Sequence, residues 1–280
     1  MERIILIETS TALCSVALAE DGAVTAYRES SEPKAHASLT AVFVQEVLAE
    51  RGVTLADCDA VCVSMGPGSY TGLRVGVSTA KGLCFGSSKP LLAVGTLDTL
   101  VAQAFSPAEA EANVEPQSGL YPGAKVSTGE NGEYRYIIPM IDARRMEVYA
   151  AVFSPAISDN AYSVISSEAY SVISSEAEGR VEKSLLYTQI TETAPEIIDE
   201  TSFAEYLEQG PVLFIGDGAG KCADVIKHPN AHFCQCHPKA SSMLQPALEA
   251  YRRQNFKDVA YFEPFYLKEF VATVSKKKLW

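Results

Sequence analysis

The chain has 280 residues, 47% of them hydrophobic and 21% charged, with mean hydropathy +0.04. Those values exclude a mostly disordered chain, and the length allows one large domain or two smaller ones. The formal charge of −12 opposes unaided wrapping of a nucleic acid, since phosphate binding is led by Lys and Arg.

Residues 3–8 are an apolar run ending in the polar turn Glu8-Thr9-Ser10-Thr11. Its Ile4-Ile5-Leu6-Ile7 core is too short for a signal peptide and reads as a buried strand. A second strand is predicted over 14–19. Asp21-Gly22 then signals a hairpin, and 24–28 forms the third strand. Residues 37–51 lack Gly and Pro and read as a helix stopped by Gly52. Residues 60–64 form a buried strand, followed by a Gly-rich turn and a helix over 71–86. A strand over 91–94 and a helix over 96–105 complete a first lobe, residues 1–105.

Residues 106–135 are rich in Pro, Gly, Glu and Ser and read as a long insertion. Strands over 136–141 and 147–153 flank the turn Asp142-Ala143-Arg144-Arg145, so a second lobe opens as the first did. That lobe, 106–280, carries a further insertion at 155–180, where Ala161–Glu168 recurs at once as residues 169–176. Two copies make no solenoid, and the duplication has no functional account. A strand over 212–215 leads into Gly216-Asp217-Gly218-Ala219-Gly220-Lys221. The last helix is expected over 240–254, kinked at Pro246. The tail ends in Lys276-Lys277-Lys278, too short a charge run to define a binding arm. No run approaches the ~20 apolar residues of a membrane span. Seven cysteines, several inside apolar segments, suggest free buried thiols and a reducing, cytoplasmic setting.

The segment Ser64-Met65-Gly66-Pro67-Gly68-Ser69-Tyr70-Thr71-Gly72-Leu73-Arg74-Val75-Gly76 follows a strand and opens a helix. It is neither a P-loop nor a dinucleotide fingerprint. An anion held at the helix N-terminus and a tight turn that aids packing are both open readings. Gly72 and Gly76 lie four apart, with Thr79, Ala80 and Leu83 on the same side, and Gly82 and Gly86 repeat the spacing. Small residues on one face let another helix approach closely. Helix 37–51 carries Leu39, Val42, Phe43 and Val47 among its apolar residues, wider than the ~100° stripe of a surface helix. One side can face its own sheet. The other needs cover, from helix 71–86 or from another chain.

Metal and catalytic signals are weak. His36 has Thr40, not His, four residues on. His232, Cys234, Cys236 and His237 lack usual zinc-ligand spacing, so no metal is expected. There is no Gly-x-Ser-x-Gly elbow. Glu8, Asp142 and Asp217 each follow a strand. As turn formers they need no ligand, but in a two-lobed nucleotide-binding protein such acids, with Gly216 and Gly218, would face the cleft and hold a metal through water.

Residues 5–11, 66–76 and 80–83, with Ile141-Asp142-Ala143-Arg144 and Glu147-Val148-Tyr149, resemble the TsaB (YeaZ) family, paralogues of the TsaD/glycoprotease M22 family. The resemblance covers the first lobe and the start of the second, and weakens after residue 155. It implies an α/β, two-lobed actin-like (ASKHA, ribonuclease-H-like) fold. It also implies a non-catalytic, cofactor-free subunit that lacks the metal-binding histidine pair of TsaD. Helices 37–51 and 71–86 would bind a TsaD-like catalytic subunit through Leu39, Val42, Phe43, Val47, Gly72, Gly76, Thr79, Ala80 and Leu83. A TsaE-like ATPase would join the pair. The assembly moves a threonylcarbamoyl group to N6 of a tRNA adenosine, and tRNA is met only through the complex. A homodimer when alone is a further expectation. The alternative is a nucleotide-dependent kinase or M22-type peptidase of the same fold, using Glu8, Asp142 and the 216–220 loop.

Overall fold

The computed structural model describes residues 1–105, 134–157, 169–172 and 185–267. Most of the 106–135 stretch, the first repeat copy, the end of the second and the terminal lysines lie outside the described residues.

The first sheet has the order β3-β2-β1-β4-β5. Its strands are β1 (Arg3–Glu8), β2 (Cys14–Glu20), β3 (Ala23–Ser30), β4 (Ala60–Ser64) and β5 (Leu91–Val94). The antiparallel β1–β2–β3 meander turns at Asp21 and Gly22, with φ 47° and 84°, as an Asp-Gly hairpin should. β1, β4 and β5 run parallel, and β1 and β4 are buried almost throughout because both sheet faces are covered.

Helix α1 (His36–Arg51) buries Thr40, Phe43, Val44, Val47 and Leu48 against this sheet. It ends at Gly52, whose φ of 64° lets its N–H reach Ala49 O. Arg51 and Arg3 converge on the buried Glu20, at 2.8 and 2.7 Å, and their hydrogen bonds hold its carboxyl down at about 2. Helix α2 (Tyr70–Ser87) is capped by the Ser69 hydroxyl and packs beside α1 on the same face.

The other face of the first sheet is sealed from far along the chain. Ala240, Met243, Ala247 and Leu248 pack against Ile4, Leu6, Ala17, Cys62 and Leu92. Residues 240–252 are a 3-10 turn followed by a helix starting at Leu244. Pro246 therefore sits in the first turn of that helix, where a missing N–H leaves no bond unmade, and it does not kink the helix.

The second sheet is built on β6 (Tyr136–Asp142), flanked by β7 (Glu147–Ala150), β8 (Phe153–Ile157) and, in parallel, β12 (Val212–Gly216). The single strand expected over 147–153 is two. Ala151 and Val152 interrupt it so that β7 and β8 pair with different parts of β6. β9 (Ala169–Val172), β10 (Leu185–Gln189), β11 (Ala194–Ile197) and β13 (Ala231–Gln235) extend the edges. Helix α3 (Thr96–Phe105), which the sequence assigns to the first lobe, packs Leu97, Leu100 and Val101 against Ile137, Ile141, Phe153 and Ile215 of the second sheet. Short helices α4 (Ala204–Leu207) and α5 (Ala219–Ala223) precede and follow β12, and α6 (Leu244–Arg252) closes the regular structure.

Candidate functional site

Helix α2 presents two chemically different sides. Gly72 and Gly76 face inward. A Cβ on either would drive into Thr9, at its backbone O from Gly72 and at its hydroxyl from Gly76. The same closeness explains Gly68, which lies on Ser10 O, while Ser69 N donates to Ser10 O at 2.6 Å and the Thr9 hydroxyl donates to Gly72 O at 2.9 Å. The Gly-rich segment is thus a cradle that locks α2 onto the β1–β2 turn. Phe43 and Val47 of α1 and Ala80 of α2 are likewise core residues, 8%, 0% and 0% exposed. These five positions, expected on a partner surface, are corrected to interior ones. Helical spacing identifies a shared face but not which way it points.

The outer side is different. Gly82 and Gly86 have open space where a Cβ would stand, and Phe85 between them is 85% exposed. Val42 of α1 is 41% exposed. Leu39, Thr79 and Leu83 are half-buried at the margins, with Leu39 and Leu83 packed on the first core. Phe85 was missed in the sequence, although a large aromatic three residues after one helical glycine and one before another is a readable signal. The flank of α2 that adjoins Phe85, with Lys81 one turn before it, is covered by the chain itself. Lys81 Nζ donates to Ala260 O and Phe262 O, both at 3.0 Å, Phe265 N donates to Met65 O at 2.7 Å, and the Tyr266 ring packs tilted against Tyr70 with centroids 4.8 Å apart.

Glu8 is fully buried at the end of β1, with its Oε1 accepting from Ser10 N at 2.6 Å. Burial pushes its carboxyl from 4.5 to about 7, against the opposing pull of the Ser10 N–H. The folded chain therefore holds a proton that the unfolded chain releases near pH 4.5. Stability is fully present below that pH, falls by about 3 kcal/mol as pH rises to about 7, and stays low above it. Glu8→Gln should leave the melting temperature unchanged at pH 4 and raise it at pH 8. A variant whose melting temperature tracks the parent at both values would contradict this.

The imidazole of His36 is engaged by Thr11 O at 2.9 Å, and Thr40, 1% exposed, donates its hydroxyl to His36 O at 2.6 Å. A buried hydroxyl thus stands where a metal-binding pair would need its second imidazole, and these residues do not fit a metal. Among the described residues no group of three His, Cys, Asp or Glu could hold one, the His232–His237 cluster included. All seven cysteines are free, five of them buried, and burial raises the thiols of Cys58 and Cys84 to about 11.

In the second lobe, Asp142 caps the β6–β7 turn. Its Oδ1 accepts from Arg144 N at 2.8 Å and pairs with Lys221. Its N–H donates to Asp217 Oδ1 at 2.8 Å. Gly216, at φ 132°, lies against Met140 O, and a Cβ on Gly218 would stand 2.9 Å from Val148 Cγ1 and 3.3 Å from Asp142 N. These glycines let the β12–α5 turn pack under the β6–β7 hairpin. A cleft of about 650 Å³ opens at the C-terminal ends of β4 and β5, lined by Met65, Gly66, Gly95 and Asp98 and, opposite them, by Gln189, Thr191 and Lys257. Glu8, Asp142, Gly216 and Gly218, expected to face a cofactor there, are not among its lining residues.

Known proteins bear on this geometry. A family model described as TsaD, tRNA N6-adenosine threonylcarbamoyltransferase, matches residues 30–276. The chain is 28% identical over 277 residues to the tRNA threonylcarbamoyladenosine biosynthesis protein TsaB of Escherichia coli K12, covering 96% of each. It is 45% identical over 65 residues to a tRNA N6-adenosine threonylcarbamoyltransferase of Sphingopyxis alaskensis, spanning 23% of this chain and 19% of that protein. The solved structure of YeaZ from Pseudomonas aeruginosa superposes with a TM-score of 0.67 at 22% identity, covering 95% of this chain and 100% of that one. The fold is the two-lobed, actin-like α/β arrangement. Among the described residues no helix is long and apolar enough to cross a membrane.

Proposed function

We propose that this chain, which belongs to the TsaD family and is TsaB-like along its whole length, is a non-catalytic docking subunit for a TsaD-type transferase in tRNA threonylcarbamoyladenosine biosynthesis. The outer flank of α2 carries this reading: Phe85, 85% exposed, stands between Gly82 and Gly86, and Val42 of α1 is exposed as well. A bare aromatic between two glycines offers a partner helix both apolar area and close approach. The partner surface is therefore Val42, Gly82, Phe85 and Gly86, with Leu39, Thr79 and Leu83 at its edge. A TsaE-type ATPase joins the pair, tRNA is modified only by the assembly, and the chain alone pairs with itself through the same flank. It acts in the cytoplasm, where tRNA is.

The non-catalytic part rests on His36 and Thr40, whose polar atoms are engaged within the lobe. The test is reconstitution from purified subunits. The expected results are a stable heterodimer with the TsaD-type subunit and threonylcarbamoylated tRNA only when both are present with the ATPase. Modification by this chain alone, or no co-elution with the transferase, would overturn the reading.

A further inference from the structure

Most arginines of this acidic chain are already engaged. Arg3 and Arg51 pair with Glu20, Arg28 with Glu46 and Glu50, Arg252 with Glu2 and Arg253 with Glu249. Arg74 lies over the Tyr70 ring and Arg135 over Tyr136. Among the described residues, Arg144 and Arg145 alone of the arginines have neither an ion pair nor an aromatic ring. Both are exposed, side by side at the tip of the β6–β7 hairpin.

The tip is held firmly. Arg144 and Arg145 take φ of 72° and 53°, a left-handed pair that L side chains adopt only at a cost and that hairpins usually give to Asn-Gly. Lys221 Nζ fixes the strands beneath by donating to Arg145 O at 2.9 Å and Glu147 O at 2.6 Å, and it neutralises Asp142. Arg144 N is tied to Asp142 and Glu147 N to Arg144 O, at 2.8 and 3.2 Å. One cation thus anchors the turn from below, and two guanidiniums project with no internal partner. Guanidinium forks match phosphate oxygens bidentately, and a turn fixed beforehand loses little entropy on binding them.

We infer that Arg144 and Arg145 form a phosphate-gripping tip through which this chain itself touches the tRNA backbone in the assembly. The inference rests on the docking role proposed above, and it adds a direct RNA contact to a chain whose net charge would argue against one. Two charged contacts do not bind RNA alone. They add to a site whose main affinity lies on the partner.

The test measures tRNA affinity of the complex with the TsaD-type subunit across a salt series. Arg144→Asn with Arg145→Gly removes both charges and installs the pair this turn prefers, so the fold should be kept or stabilised. The control, Arg252→Ser with Arg253→Ser, removes the same charge elsewhere. The expected result is at least about ten-fold weaker binding near 50 mM salt and a log–log salt slope shallower by about 1.4–1.8, with the control near wild type. Unchanged affinity and slope would overturn the inference, as would an equal loss in the control. A variant that no longer assembles with the transferase would overturn it too, since the arginines would then grip a protein carboxylate. Failure of the wild-type chain to assemble would instead sink the docking role on which the inference stands.

Discussion

Phe85→Asp should weaken association with the TsaD-type subunit about 30- to 1000-fold and leave the isolated chain folded. The ring is 85% exposed in the free chain, so its loss removes little from the chain's own core. Full burial of a Phe side chain is worth about 1.5–3 kcal/mol, and central aromatic anchors cost about 2–4 kcal/mol when removed from an interface. The aspartate adds a charge that the partner would have to desolvate. Gly82→Leu is the companion experiment. Its Cβ meets nothing within 4 Å, and replacing a helical glycine should stabilise the chain by about 1 kcal/mol. A chain that melts higher and binds worse could not be explained by damage to the fold. Titration calorimetry or analytical ultracentrifugation with the purified partner reads both. Wild-type affinity in both variants would show that the outer flank of α2 is not the contact.

Gly72→Ala should do the reverse, damaging the fold first. Its added carbon would collide with Thr9 O, a backbone atom inside a turn that Ser69 and Gly72 hold by hydrogen bonds. Backbone cannot move aside as a flexible side chain can, so the cost is set by shifting α2 away from β1. Overpacking of this kind costs about 1–3 kcal/mol or more against a total stability of about 5–15 kcal/mol. A drop of roughly 2–6 °C in melting temperature is expected for a chain of this size, with loss of partner binding following only as the folded fraction falls. A Gly72→Ala chain as stable as wild type would mean that α2 does not sit against the β1–β2 turn as described.

The contrast between Gly72 and Gly82 marks where the sequence is legible and where it is not. Strands β1 to β5 and helices α1 and α2 follow from apolar runs, the Asp21-Gly22 turn and the Gly52 stop, all local signals. Two pairs of glycines four apart are also visible, but their periodicity fixes only that each pair shares a face. Which face meets the sheet depends on Thr9, more than sixty residues away in sequence from Gly72, and no local pattern encodes that meeting. Hence Gly72, Gly76, Phe43, Val47 and Ala80 read as a contact surface although they lie inside. In the same way Glu8 and Asp142 read as cleft acids, because a turn after a strand looks alike whether its carboxylate meets solvent, as at Asp142, or is swallowed by the core, as at Glu8. The Arg144-Arg145 turn was visible as a polar connection. What makes it unusual, two left-handed arginines braced by Lys221, appears only when the β12–α5 turn is brought beneath it.

The first sheet is spelled out within the first 94 residues, yet one of its faces is closed by Ala240, Met243, Ala247 and Leu248. During synthesis its strands therefore leave the ribosome with Ile4, Leu6, Cys62 and Leu92 unshielded while nearly a hundred and fifty more residues are made. Any chain released before residue 248 would carry that oily face uncovered, a ready target for chaperones and proteases.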